Sequence, residues 1–322
     1  MPHLLVAGKI HDAGLALLDA TEGVTYDYVP DMTHEGYVGL IHKADAFVVR
    51  TQPVPAETIA KALRLKIVSR HGVGYDAVDV PALNARAIPL AIIGDVNSRP
   101  VAEHAMMMIL ALAKKIRGYD ASTRGGAWNA RHRFDSIELY EKTVLIIGFG
   151  RIGRHLARMA SGFGMTILAY SPSQTPEAIR AGGAEPVLSL MEGLARADFV
   201  TIHAPKTGAE PLIGSSQLAA MKPSALLVNT ARGGMIDEAA LVTALSERRL
   251  AGAGLDVFLD EPPAADHQLF SRDDVLVSPH TASLTAESAI RMAVMSIQNA
   301  LDYFEGQLDP SLVVNREAIN FR

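Results

Sequence analysis

The sequence predicts an α/β fold of two doubly wound parallel sheets, with the second domain inserted into a discontinuous first one. Three observations carry this expectation. Short β-rich runs alternate with helical patterns over residues 1–95 and again from Thr143 onward, as in parallel sheets joined by crossover helices. A length of 322 residues suits two domains better than one. The tail 308–322 has no obvious place in the second sheet, which implies that the chain crosses back to complete the first.

In the first half, strands are expected at 4–7, 24–29, 46–50, 66–69 and 88–91, with helices at 11–20, 55–63 and 76–86 between them. A long helix follows over 101–118, opened by Asn97-Ser98-Arg99-Pro100, where Asn97 or Ser98 suits the cap and Pro100 the first turn. Its Met106-Met107-Met108 stripe reads as core packing. Residues 118–142 read as irregular and hold the single tryptophan, Trp128, beside Arg131-His132-Arg133; an extended arm and a surface loop both fit. Strands then resume at 143–147, 165–170, 199–202, 225–229, 253–257 and 275–278, before a final helix over 286–305. The division expected is 1–98 with 284–322 against 99–283.

Thirty Lys and Arg against 35 Asp and Glu give a net charge of −5. That balance lacks the global basic field of a nonspecific nucleic-acid binder. Hydrophobic residues at 49% and charged residues at 20% are ordinary for a globular body and unlike a disordered chain. The absence of cysteine excludes a disulfide framework, a thiolate zinc site and a cysteine nucleophile, and suits a reducing cytosol. The N-terminus has no basic region and reaches His11-Asp12 too early for a signal peptide. The longest apolar run, 105–113, is about half of a bilayer span. A cytoplasmic protein is therefore expected, with no nucleic-acid or membrane partner. No HExxH occurs and no metal is expected; His104 reads as a core or cleft-wall residue and His132 as solvated or interfacial.

Gly148-Phe149-Gly150-Arg151-Ile152-Gly153 follows an apolar strand and opens a helical pattern, the context that gives a GxGxxG motif its weight. Gly148 permits the tight turn, Gly150 lets a pyrophosphate approach the backbone, and Gly153 lets helix pack on strand. This is the turn of a Rossmann domain, and it points to NAD or NADP. The ribose-reading carboxylate of such domains ends the next strand, yet here Ser171 follows Tyr170. Ser171 removes the usual barrier to a 2′-phosphate, whereas 172–179 supplies no Arg or Lys to clamp one, so the choice of dinucleotide stays open.

Three charged groups fall after strands of the second half, at the carboxyl ends where open α/β sheets bind ligands: Arg232, Glu261 and His280. Hydride transfer between a nicotinamide and a 2-keto or 2-hydroxy acid requires a cation for the carboxylate, a proton donor for the carbonyl oxygen, and a carboxylate to keep that donor protonated. The fork of arginine suits the first role and imidazole the second. Singly, each has a plain structural alternative as a surface, turn or strand-end residue.

Together, in Asn229-Thr230-Ala231-Arg232-Gly233-Gly234, Asp256-Val257-Phe258-Leu259-Asp260-Glu261-Pro262 and Ser278-Pro279-His280-Thr281-Ala282, they resemble the D-isomer-specific 2-hydroxyacid dehydrogenase family. The resemblance extends to Arg70-His71-Gly72-Val73-Gly74-Tyr75-Asp76 and to the segment from Val96 to His104, and is strongest for the phosphoglycerate dehydrogenase and hydroxypyruvate reductase branches. It implies a Rossmann coenzyme domain inserted into a flavodoxin-like substrate domain, with a cleft between them and a homodimer built by the coenzyme domain. It implies that Arg232 binds the substrate carboxylate with the backbone of Val73 and Gly74, and that His280 is the acid/base with Glu261 as partner. Arg50 is a further substrate-binding candidate. Arg151 and Ile152 then lie on the pyrophosphate, and His203-Ala204-Pro205-Lys206-Thr207 forms the adenine-side segment. Asp256 matches the nicotinamide-amide contact, while Thr230, Ala231 and Ala282 complete the cofactor set. Two departures stand out: Ser171 replaces the Asp of NAD-specific members, and Glu210 replaces a Thr usual after Thr207.

The reading that follows is an NAD(P)-dependent oxidoreductase of small 2-keto or 2-hydroxy acids, such as hydroxypyruvate or glyoxylate. One alternative is a D-3-phosphoglycerate dehydrogenase without a regulatory domain; a serine-regulated form is disfavoured, since 306–322 leaves little room for an added domain. Another is a dinucleotide-sensing, corepressor-like binding protein, against which the lack of a long polar tail weighs.

Overall fold

The computed structural model describes residues Met1–Arg322. The chain forms two compact units, Met1–Asn97 with Leu284–Arg322, and Ser98–Ser283. The first changeover falls one residue before the expected division, because Ser98 already opens the long helix of the second unit.

The first unit begins β1 (His3–Ala7), α1 (Asp12–Asp19), β2 (Thr25–Val29), α2 (His34–Val38), β3 (Ala46–Val49), α3 (Ala56–Lys61), β4 (Ile67–Arg70), α4 (Val80–Ala85) and β5 (Leu90–Ala91). Its five strands are parallel in the order β2-β1-β3-β4-β5. Neighbouring residues of a strand point to opposite faces, and here both faces are covered. Leu5, Phe47 and Val68 pack with Tyr37, Ile59 and Leu83, whereas Leu4, Val48 and Ile67 pack with Leu18, Ala293 and Ile297. Burial on both sides explains why the strands read as continuous apolar runs.

The second unit comprises α5 (Ser98–Ala113), α6 (Ile116–Arg124), β6 (Thr143–Ile147), α7 (Arg151–Gly162), β7 (Thr166–Tyr170), α8 (Pro176–Ala181), β8 (Glu185–Pro186), α9 (Leu190–Arg196), β9 (Phe199–Ile202), α10 (Ser215–Ala220), β10 (Leu226–Asn229), α11 (Glu238–Ser246), β11 (Gly252–Leu255) and β12 (Val275–Val277). The seven parallel strands run β12-β11-β10-β9-β6-β7-β8. The order reverses at β6, so the loops after β6 and β9 face the crevice where doubly wound sheets bind ligands. The chain then returns to the first unit as α12 (Ala286–Glu305) and α13 (Arg316–Ile319). The tail is fastened to the edge of the first sheet: Val314 N donates to Leu90 O at 3.0 Å, and Asn315 bonds Leu90 N, Ile88 O and Asn84.

Several local expectations require correction. The helix expected to reach 118 stops at Ala113, where Lys115 adopts φ +50°, and α6 restarts at Ile116. Ala113 is the last buried residue of α5, and α6 buries none, so packing no longer holds one axis. Residues 118–142 are accordingly not all irregular, since α6 runs to Arg124 and a 3-10 turn spans Trp128–Arg133. Met106 and Met108 are buried but Met107 is exposed, as helical spacing demands of three consecutive residues. The two-residue strand β8, containing Pro186, has no alternating pattern by which to find it.

Candidate active site

The turn after β6 is shaped by glycine. Gly148 adopts φ +92°, and a Cβ there would lie 2.5 Å from Ala204 N in the loop after β9. A Cβ on Gly153 would lie 2.4 Å from Gly148 O, so helix α7 sits against the turn only because that atom is missing. At Gly150 a Cβ would meet nothing within 4 Å, leaving open space in front of the backbone. Gly150 caps α7 without any side-chain hydrogen bond, so the first amides of the helix face outward at its positive end. A turn of this form can accept an anion; Arg151 is exposed at its rim and Ile152 is partly buried against the core.

Other groups around this crevice are also prepared for a ligand. Ser171 is buried at the end of β7. His203 places Nε2 2.9 Å from Thr201 Oγ1 while its covered Nδ1 has no partner; burial pushes the imidazole far below its ordinary range, so the ring is neutral. The Thr230 hydroxyl is likewise buried without a partner. Buried polar atoms are normally satisfied, and two orphans beside an open glycine cradle fit a dinucleotide with its own donors and acceptors. Ala204, partly buried, and exposed Pro205 and Thr207 extend the same loop.

Arg232, Glu261 and His280 stand on loops after the adjacent strands β10, β11 and β12. Asn229 shapes the first loop, accepting from Ala231 N at 3.0 Å and donating to Arg232 O at 2.9 Å. A Cβ on Gly233 would lie 1.6 Å from Phe258 O, so this loop approaches the next one only with glycine there. Glu261 accepts from Phe258 N at 3.1 Å through Oε1 and lies 2.7 Å from His280 Nδ1 through Oε2. Partial burial alone would raise the Glu261 carboxyl. The hydrogen bond and charge of His280, the Phe258 amide and the charge of Arg232 outweigh it and hold the group below its usual range.

His280 adopts φ +53°, an uncommon conformation for a side chain of this size. Asp256 holds it there. The His280 amide donates to Asp256 O at 2.8 Å, and the fully buried Asp256 carboxylate accepts from Ser278 Oγ at 2.5 Å and from the amides of Thr281 and Ala282 at 2.9 Å each. His104 Nε2 lies 2.9 Å from Ser278 Oγ, which makes it part of this support. An apolar cavity of about 390 Å³ opens beside the pair, walled by Phe258, Pro262, Phe270, Val277 and His280.

In the first unit, Arg50 follows β3 and donates to Lys9 O at 2.9 Å. Arg70 ends the neighbouring β4 and donates to His71 O at 2.8 Å. Burial first, then the charges of Arg50 and Arg70, push His71 down to about 4, and its Nε2 is buried without a partner. Val73 and Gly74 follow in the same loop, and neither amide bonds to another backbone group. Arg50 and Arg70 therefore form a cationic pair within this unit, with a neutral His71 beside them.

Sequence reasoning missed the support of the histidine loop by Ser278 and His104, and it missed Arg154. The guanidinium of Arg154 reaches Gln174, twenty positions further along the chain, at 3.1 Å. Its signal was faint: Arg154 lies three residues after Arg151 and hence on the same face of α7.

A family model described as D-isomer specific 2-hydroxyacid dehydrogenase, NAD binding domain, matches residues 106–282. The chain is 38% identical over 315 residues to a D-3-phosphoglycerate dehydrogenase of Methanocaldococcus jannaschii, covering 97% of this chain and 59% of that protein. It is 36% identical over 330 residues to a glyoxylate reductase of Pyrococcus furiosus, covering 100% of this chain and 97% of the other. A crystal structure of the NADPH-dependent glyoxylate/hydroxypyruvate reductase of Sinorhizobium meliloti with NADP and malonate superposes with a TM-score of 0.83 at 29% identity, covering 94% and 93% of the two chains. The chain thus spans about three fifths of the length of the phosphoglycerate dehydrogenase it matches and nearly all of the glyoxylate reductase.

Proposed function

The chain belongs to the D-isomer-specific 2-hydroxyacid dehydrogenase family, and from that premise we propose that it is an NAD(P)-dependent reductase of small 2-keto acids, hydroxypyruvate or glyoxylate being the preferred type. The observation that carries the reading is the 2.7 Å His280–Glu261 pair, within the field of Arg232 and on the same sheet edge as the glycine cradle. Gly148, Gly150, Arg151, Ile152 and Gly153 would hold the dinucleotide, with Ser171, His203, Ala204, Pro205, Thr207, Thr230, Ala231, Asp256 and Ala282 as further contacts, and when bound it would supply hydride for the carbonyl carbon.

The chain's own residues do the rest. Arg232 pairs its fork with the substrate carboxylate and so orients the carbonyl. Protonated His280 gives its Nε2 proton to the carbonyl oxygen as the alcohol forms, Nδ1 being engaged by Glu261. Glu261 stabilises the imidazolium and fixes the ring. In the oxidative direction His280 Nε2 takes the hydroxyl proton. Asp256 holds the histidine loop through one face of its carboxylate, and Oδ2, which accepts only the Ala282 amide, has a lone pair left for the nicotinamide amide.

A second reading is favoured by one observation: Arg50 and Arg70, at the ends of neighbouring strands, offer the charge that a phosphorylated substrate needs. The experiment is a panel of glyoxylate, hydroxypyruvate and 3-phosphohydroxypyruvate with NADH and NADPH at matched salt. Higher kcat/KM on the unphosphorylated acids supports the first reading. A tenfold preference for the phosphorylated one, abolished by Arg50→Ala or Arg70→Ala, replaces it with the second, and no turnover with any pair refutes both.

We also infer a homodimer whose arm includes α6 and the following 3-10 turn, supported by exposed Ile116, Trp128 and Phe134. A cytoplasmic location is supported by the cysteine-free composition. No helix is long and apolar enough to cross a membrane.

A further inference from the structure

We propose that Arg154 is the cation that reads the 2′-phosphate of an NADP-type cofactor, an inference that rests on the dinucleotide reading above. Sequence order hides this residue, because the loop after β7, where adenosine ribose is read in this fold, contains no Arg or Lys over 171–179. The charge comes from α7 instead. Arg154 Nη2 donates to Gln174 Oε1 at 3.1 Å, and the Gln174 amide donates to Ser171 O at 3.0 Å. The guanidinium is thereby held against the turn that begins at Ser171.

The surroundings suit a phosphate. Ser171 stands where a carboxylate would repel one, and Pro172-Ser173-Gln174-Thr175-Pro176 contains no acid. The first acidic residue onward, Glu177, is directed to Arg180 at 3.7 Å. Helix α7 has no acidic residue, and Arg151, Arg154 and Arg158 recur along one exposed face. Arg154 spends one donor on a neutral amide, which orients the fork and leaves its other N–H groups for a dianionic partner. A carboxylate partner would instead have neutralised it.

The test is equilibrium binding, by calorimetry, of NADP⁺, NAD⁺, adenosine 2′,5′-bisphosphate and 5′-AMP to the wild type, Arg154→Gln and Arg154→Lys, with melting temperatures as a check on folding. The wild type is expected to bind NADP⁺ at least as tightly as NAD⁺. Arg154→Gln should weaken NADP⁺ and the bisphosphate tenfold or more while moving NAD⁺ and AMP less than about twofold, and Arg154→Lys should fall between. Gln174→Glu, which leaves the arginine in place, should weaken the same two ligands selectively. Equal losses on all four ligands, no loss with Arg154→Gln, or a wild type that binds NAD⁺ and rejects NADP⁺ overturns the role of Arg154 alone. Failure of the wild type to bind any of the four overturns the dinucleotide reading itself, and this proposal with it.

Discussion

Replacing Glu261 with glutamine removes one charge and keeps an acceptor of the same size opposite His280 Nδ1, so the ring stays oriented while the imidazolium loses its counter-charge. Two unit charges about 4 Å apart interact by about 1 kcal/mol in water and about 4 kcal/mol at an effective dielectric of 20. The side chains are 47% and 38% exposed, which places the pair near the aqueous end, and about 1 kcal/mol is the appropriate figure. At 1.36 kcal/mol per factor of ten, that is about a fivefold loss of stabilisation for the imidazolium. Keto-acid reduction needs the protonated ring, so its rate falls as pH rises, and in Glu261→Gln the fall should come at lower pH, leaving the variant up to about fivefold slower on the alkaline side. The assay is the pH profile of kcat and kcat/KM for hydroxypyruvate reduction, with a deuteride isotope effect to show that chemistry limits the rate. Coincident profiles for wild type and variant, under that condition, refute the pairing as part of the mechanism.

Arg232→Ala should lower kcat/KM by at least tenfold with the melting temperature little changed, since a charge-assisted pair of about 1.5 to 3 kcal/mol is lost, and Arg232→Lys should recover little of it; near wild-type efficiency in a folded sample contradicts the anchor. Wild-type protein should use both NADH and NADPH, and Ser171→Asp should swing the kcat/KM ratio strongly to NADH by repelling the 2′-phosphate; strict NADH use before mutation contradicts this. His71, pushed down to about 4, stays neutral in the fold while the unfolded chain protonates near 6.5, so its contribution is fully present above that value and is lost as pH falls toward 4. Urea denaturation should therefore show roughly 2 kcal/mol less stability at pH 5 than at pH 7 from this residue, a loss that His71→Gln abolishes; equal pH dependence of the two proteins refutes it. Gly148→Ala should abolish dinucleotide binding or folding, as its Cβ would meet Ala204 N at 2.5 Å; a soluble variant that binds NADPH like wild type contradicts the turn described here.

Much of the fold is local, and local rules are written in the sequence. Strands buried on both faces must be continuously apolar, a tight turn before a packed helix must be glycine at Gly148 and Gly153, and charged residues that end adjacent strands of a parallel sheet must gather at one edge. The βα alternation, the cradle and the triplet Arg232, Glu261 and His280 are legible for these reasons. Tertiary structure decided what depends on residues far apart. It ended α5 at Ala113, because helical propensity extends further than the surface that can bury it. It turned Asp256 inward to hold the His280 loop, and it placed Oε2 of Glu261 2.7 Å from Nδ1 of His280. It also laid Arg154 across to Gln174, although no spacing within either segment encodes the encounter. Periodicity and backbone sterics act between near neighbours in the chain, whereas a hydrogen bond between two loops exists only once the sheet beneath them has been built.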